Sequence, residues 1–414
     1  MNSTDTHFNF FKALLFLFLF TNSQFTFDIA HNPLAIPYAQ EIFLGFLLIF
    51  FLFVVLPLFI LKLHIDKLDA AIATVTLVVW VGSAAHAYLR YGQPIYYGLI
   101  EDRRSLGLLA YFPLVMLLRS KQVCIEDIFR YILTLSTIFI IYGVLVSLGL
   151  APTVKSFALE ISNIRAGRMN IGLYYMILAF FICLSRLSYR FDKRWAYYSA
   201  FFFFSMAILG QTRQLILGAL IIALGSLLIG KVSFTRFLTI FTVTTVIPFL
   251  LLLWLNKDFL ISYYDMFSTL SSTDYINESA RILTSLQIFS EFSNGDLWGH
   301  GALSLMWKGG FHRLYGENFF LADVGVIGTM FRFGILAVPI LIFASWILIR
   351  ATRRLPKGEI RRTVAYGIIF SFLLIPTAGL VVYRGFFLGI LLAISAYHTE
   401  SLKQTIPTNT TQAH

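Results

Sequence analysis

The chain has 414 residues, 58% of them hydrophobic and only 13% charged, with a mean hydropathy of +0.78. A soluble globular domain carries about 25% charged residues, so that class is excluded and a polytopic membrane protein is expected. The net charge of +11 invites a nucleic-acid partner, but in a membrane chain basic residues chiefly set orientation, and none is expected.

The first apolar run, FKALLFLFLF, has no clean small-residue cleavage site after it, which predicts a signal anchor rather than a removed leader. A helix needs roughly 17–25 apolar residues to cross the hydrocarbon core. Runs of that kind centre near residues 16, 52, 79, 112, 140, 178, 202, 222, 245, 340, 372 and 391, about twelve in all. With the N-terminus inside, the inner segments are 62–69, 119–130, 186–194, 231–236, 350–362 and both tails. By count they hold about 19 of the 32 Lys and Arg but about 8 of the 21 Asp and Glu. The net charge therefore lies inside, and both termini are expected there.

One outer segment is long. Residues 256–316 are polar enough to stand outside the bilayer and long enough for helices of their own, and structureless loops of that length are uncommon. The expected organisation is nine spanning helices over 1–255, the large outer loop at 256–316, and three more helices with a short tail over 317–414.

Several basic residues stay outside against the orientation rule. Arg90, Arg103 and Arg104 lie near Glu101 and Asp102 and read as paired or reaching to headgroups. Arg213 in QTRQLILG has no carboxylate close in sequence, and Arg281 opens a helix in SARILTSLQIF. Arg165 and Arg168 stand in ISNIRAGRMNIG, and Arg384 in VVYRGFF. Arg is costly at membrane depth and needs a partner; converging guanidinium forks suit a polyanion such as pyrophosphate. Arg332, within an apolar segment, reads as a partner for Asp323. No outer DxD pair or His/carboxylate set has metal-ligand spacing, no phosphate-binding or dinucleotide fingerprint occurs, and the two cysteines, Cys124 and Cys183, suggest neither a disulfide nor a metal site. No cofactor is expected.

The order QTRQLILG (211–218), SARILTSLQIF (279–289), GHG (299–301) and ENFFLADVGVIG (317–328) resembles the O-antigen polymerase and O-antigen ligase superfamily of bacterial inner-membrane glycosyltransferases. The resemblance covers most of the chain. It implies an all-α, GT-C-like protein of the inner membrane with the large loop and active site periplasmic. It also implies metal-independent transfer of a glycan from an undecaprenyl-pyrophosphate-linked oligosaccharide, with room for a chain-length regulator as a protein partner. The pyrophosphate-binding role maps onto Arg213 and Arg281, with Arg165, Arg168 and Arg384 as further candidates. Ligases of that superfamily usually carry His-Asn where this chain has Glu317-Asn318, so either Glu317 or His312, five residues upstream, is expected to serve as base. A carboxylate at a dry membrane lip has its pKa raised towards that of a useful base. The bland reading of Glu317 is helix capping or a bridge to His312 or Arg313. Asn318 would orient a sugar. Tyr264, with Tyr263, Tyr275 and Trp298, would stack on sugar rings or serve as an interfacial aromatic. The expectation is a polymerase; the alternatives are a ligase acting on lipid A core, and a flippase or other transporter.

Overall fold

The computed structural model describes residues 3–27, 35–61, 66–148, 150–151, 172–210, 212–229, 280–316, 319, 321, 324–376, 379–381 and 384–405. Every regular element among them is helical. In chain order these are α1 (Ser3–Asn22), α2 (Ala39–Ile60), α3 (Lys67–Tyr91), α4 (Ile95–Glu101), a 3-10 stretch (Arg103–Ala110) running into α5 (Tyr111–Arg119), and α6 (Ile125–Ser147). Then come α7 (Leu173–Tyr189), α8 (Lys193–Gly210), α9 (Arg213–Ile229), α10 (Ala280–Ser293) and α11 (Phe311–Tyr315). The last are α12 (Gly325–Phe333), α13 (Ala337–Arg354), α14 (Glu359–Leu373) and α15 (Gly385–Thr405).

Four described stretches are long and apolar enough to cross a membrane: Ala39–Ile60, Lys67–Tyr91, Ile125–Val146 and Gly325–Arg354. Among the described residues the chain is therefore all-helical, and these stretches mark it as a membrane protein. Helices also cover every other predicted span centre except the one near 245, which lies outside the described residues.

Surface patterning follows the helical period. On α2, Ile42, Phe46, Ile49, Phe53 and Ile60 are all exposed, and their spacing puts them on one face. In water such a stripe would be an aggregation hazard; in a bilayer it is the lipid-facing side. The interior is built around α7, almost wholly buried, and around α15, which lies against the 3-10 stretch and α5. Close approach there depends on small residues. A Cβ at Gly385 would meet the Leu108 amide nitrogen at 2.5 Å, and one at Gly389 the Tyr111 amide nitrogen at 3.1 Å. A small face at i and i+4 lets two backbones touch, which drives association where lipid removes the hydrophobic incentive.

Local chemistry explains how α3 is aimed. Its start is a reciprocal cap: Lys67 N donates to Asp66 at 2.7 Å, and Asp66 N donates to Asp69 at 3.2 Å. At Val78–Gly82 it widens into a π turn, which shifts the register of the next residue, Ser83. The helix ends at Gly92, whose φ of +70° suits glycine. The chain then folds back as α4. Trp80 Nε1 donates to Leu99 O at 2.9 Å and closes this corner.

Ion pairs sort into two sets. One joins Lys12 to Asp127 (3.4 Å), Arg119 to Asp69 (3.4 Å) and Glu400, Arg186 to Glu126 and Glu359, and Arg354 to Asp66 (3.0 Å). The other joins Arg103 to Glu41 (3.1 Å), Arg332 to Asp102 (3.1 Å), and Arg90 and His300 to Asp296. Asp69 stands in the first turn of α3 and Arg90 in its last, so the two sets lie at opposite ends of that helix.

Candidate functional site

The second end of the bundle is organised by the turn Gly299-His300-Gly301. Gly299 (φ +77°) and Gly301 (φ +68°) adopt a backbone that L side chains rarely take. There is also no space for a side chain. A Cβ at Gly299 would stand 2.8 Å from Phe331 O, and one at Gly301 would press on the backbone of Ser83 and Ala87. The turn is threaded between α3 and the α12–α13 joint by backbone hydrogen bonds. His300 N donates to Phe331 O (2.7 Å), Gly301 N to Arg332 O (2.8 Å), Ala302 N to Ser83 O (2.9 Å) and Ile335 N to Leu297 O (2.8 Å). Gln93, fully buried, continues the seam: its Nε2 donates to Ala302 O at 2.9 Å and its Oε1 accepts from Ser304 N at 2.8 Å.

This threading puts the His300 ring between aromatic faces. Phe331 stacks on it at 4.4 Å and Tyr91 lies over it at 5.9 Å, while Tyr315 meets it edge-on at 5.7 Å. Both ring nitrogens are engaged. Nε2 is 2.9 Å from Glu291 Oε2 and 3.6 Å from Asp296 Oδ2, and Nδ1 meets the Tyr91 hydroxyl. An ionised carboxylate only accepts, so Nε2 carries a proton towards Glu291, with Nδ1 set against the Tyr91 hydroxyl. The result is a Tyr91–His300–Glu291 relay, buried at His300 and partly exposed at its two ends. Arg90 locks its rim by forking onto Asp296 and donating to Gly299 O. That guanidinium holds the Asp296 carboxyl below the usual carboxylate range. Burial pushes the Tyr315 hydroxyl the other way, upward, and the nearby Glu291 adds to it.

Beside the relay is a second polar group. Asp102 is fully buried; it accepts from Ser83 Oγ at 2.6 Å and pairs with Arg332 at 3.1 Å. Burial raises the Asp102 carboxyl, and Arg332 opposes that rise. Glu101, next in the chain, is likewise raised, chiefly by burial and against the pull of Arg332; its Oε2 accepts from Leu305 N at 3.4 Å. Among the described residues no group of three or more His, Cys, Asp or Glu can hold a metal ion.

Few of the sequence-derived candidates fall where side chains are described. Glu317, Asn318, Arg165, Arg168, Tyr264 and Asp323 lie outside the described residues, as do the side chains of Arg213, Arg281 and His312. Their backbones can be placed: Arg213 opens α9, Arg281 is the second residue of α10, and His312 is the second of α11. Arg384, 1% exposed, donates Nη2 to Leu374 O at 2.7 Å and Nη1 to Ser371 O, and so serves the C-terminal carbonyls of α14. Trp298 is 65% exposed and open to a ligand or an interface. Arg332 pairs with Asp102, more than two hundred positions upstream, while its expected partner Asp323 lies outside the described residues; Arg90 and Arg103 take Asp296 and Glu41.

The relay residues His300, Glu291 and Tyr91 carry no sequence signal strong enough to nominate them. The glycines around His300 are the one available clue. No protein-family model matches this chain, and no curated protein is significantly similar to it.

Proposed function

We propose that the protein is an inverting, metal-independent polysaccharide polymerase of the inner membrane, with its transfer site at the periplasmic face. The growing glycan on undecaprenyl pyrophosphate is the donor, and the non-reducing end of a lipid-linked repeat unit is the acceptor. The acceptor hydroxyl attacks the anomeric carbon, its proton passes to a base, and the bond to pyrophosphate breaks to release undecaprenyl pyrophosphate. Glu317 is the proposed base, with His312 the rival. Arg213 and Arg281, with Arg165 and Arg168, are the proposed stabilisers of the leaving anion, whose charge grows in the transition state. The full reading has about twelve spans, both termini cytoplasmic and residues 256–316 as the periplasmic loop.

One observation carries the proposal. Tyr315 and Phe319, on either side of the Glu317-Asn318 pair, stack at 4.5 Å, and both pack on Phe331 beside the His300 relay. The chain on each side of the proposed base is thus pinned to the end of the bundle that gathers the predicted outer charges. The other end gathers only charges from predicted inner segments, which supports the assigned sidedness. A transporter should instead show charges along a path reaching both faces, whereas the described pairs divide into two separate sets.

The test is reconstituted protein supplied with an undecaprenyl-pyrophosphate-linked repeat unit, with product length read on a gel. A ladder of products supports a polymerase. A single addition to lipid A core would replace it with a ligase, and unchanged substrate with folded protein would count against both.

A further inference from the structure

At the end of the bundle away from His300, helices α6 and α8 splay apart. Arg130, Leu133, Thr134, Thr137 and Ile138 form one wall, and Trp195, Tyr198 and Phe202 form the other. Both sets follow the helical period, so each is a single face. They enclose about 400 Å³, and about 780 Å³ with the open mouth counted. The cleft runs from Arg130 to Ile138, about 12 Å at 1.5 Å per residue. A single hydrocarbon chain can lie along it.

The mouth is basic. Arg130 is exposed, and no carboxylate among the described residues pairs with it. Lys193 and Arg194 are exposed on the first turn of α8. The nearby acids are engaged: Glu126 with Arg186, Asp127 with Lys12, and Asp192 accepting from Arg194 N at 2.9 Å. Trp195, with the Arg186 guanidinium 4.4 Å over its ring, and half-exposed Tyr198 are residue types that settle at headgroup depth. We propose that this cleft binds an anionic phospholipid, with the phosphate on Arg130 and one acyl chain along Leu133, Thr137, Ile138 and Phe202. The inference rests on the chain being a membrane protein and is independent of the transferase reading.

The experiment is native mass spectrometry of the full chain in neutral detergent. It is titrated with phosphatidylglycerol or phosphatidylcholine of matched chain length, and the first lipid adduct is scored. Wild type is expected to favour phosphatidylglycerol, and Arg130→Gln to lose that preference by on the order of five-fold, about what one basic residue contributes near an anionic headgroup. Arg130→Lys should retain most of it, which separates charge from folding. Thr137→Trp, which fills the cleft, should weaken the first adduct of both lipids. Equal binding of the two lipids by wild type, or an undiminished preference in Arg130→Gln, would overturn the proposal. So would a dimer that Thr137→Trp dissolves, since it would make a second copy the occupant.

Discussion

Removing Arg332 while leaving Asp102 tests the energetics of the candidate site most directly. Asp102 has no exposed surface, and the Arg332 side chain is 6% exposed. Breaking a buried pair by deleting one partner costs about 3–5 kcal/mol, because the other charge stays desolvated. Arg332→Met should therefore lose about that much in graded denaturant unfolding from mixed micelles. Replacing both charges with apolar side chains of similar volume is often neutral or stabilising, so Arg332→Met/Asp102→Leu should recover most of the loss. The pH dependence adds a second check. Burial already raises the Asp102 carboxyl, and Arg332 opposes that rise; in Arg332→Met the opposition is gone. The folded pKa then stands well above the unfolded one, so the folded state binds more protons in between. Stability of the single variant must rise as pH falls through that window, by about 1.4 kcal/mol per pH unit. A deficit that is pH-independent, or equal in the single and double variants, would refute the reasoning.

Gly301→Ala should destabilise the protein by about 2–4 kcal/mol, combining left-handed strain with one or two lost seam hydrogen bonds, and hydrogen exchange should show residues 297–304 losing protection first. Asp296 is depressed by Arg90, so its contribution is present above the ordinary carboxylate range and lost as pH falls through the lower folded value; acid unfolding of wild type should steepen there, and Asp296→Asn should flatten it. If Glu317 is the base, Glu317→Gln should cut turnover about 10²–10⁴-fold without changing unfolding, and near-normal activity would remove that assignment. Arg281→Ala should raise the KM for the lipid-linked donor more than it lowers the rate with saturating donor.

The helices were legible because a membrane demands runs of fixed length, and α2, α3, α6 and the α12–α13 stretch carry that signature plainly. Sequence distance hid the pairing. Glu101 and Asp102 look like natural partners for Arg103 and Arg104, but the end of α4 turns Asp102 inward to Ser83 and Arg332, and Arg103 reaches Glu41. His300 escaped notice for a related reason. A lone His in a polar loop is unremarkable until two glycines, each with a φ that a side chain would strain, carry it between α3 and α12. The aromatic side of that placement joins Tyr315 and Phe331 to Tyr91, which lies more than two hundred positions upstream.

The seam at Gly299–Ser304 has a consequence for how the protein is made. Ser83, Gln93 and Asp102 leave the ribosome about two hundred residues before the turn that they receive, and Arg332 follows the turn. Until the turn and α12 are both in place, the α3–α4 corner holds a carboxyl without its cation, Arg332, or a glutamine without its backbone partners at Ala302 and Ser304. A nascent chain stopped before residue 325 can lay down its early helices but keeps this corner open to quality-control proteases. Completion of the seam is then the event that separates an inserted chain from a finished one, and substitutions at Gly299 or Gly301 should lower protein abundance before they alter any rate.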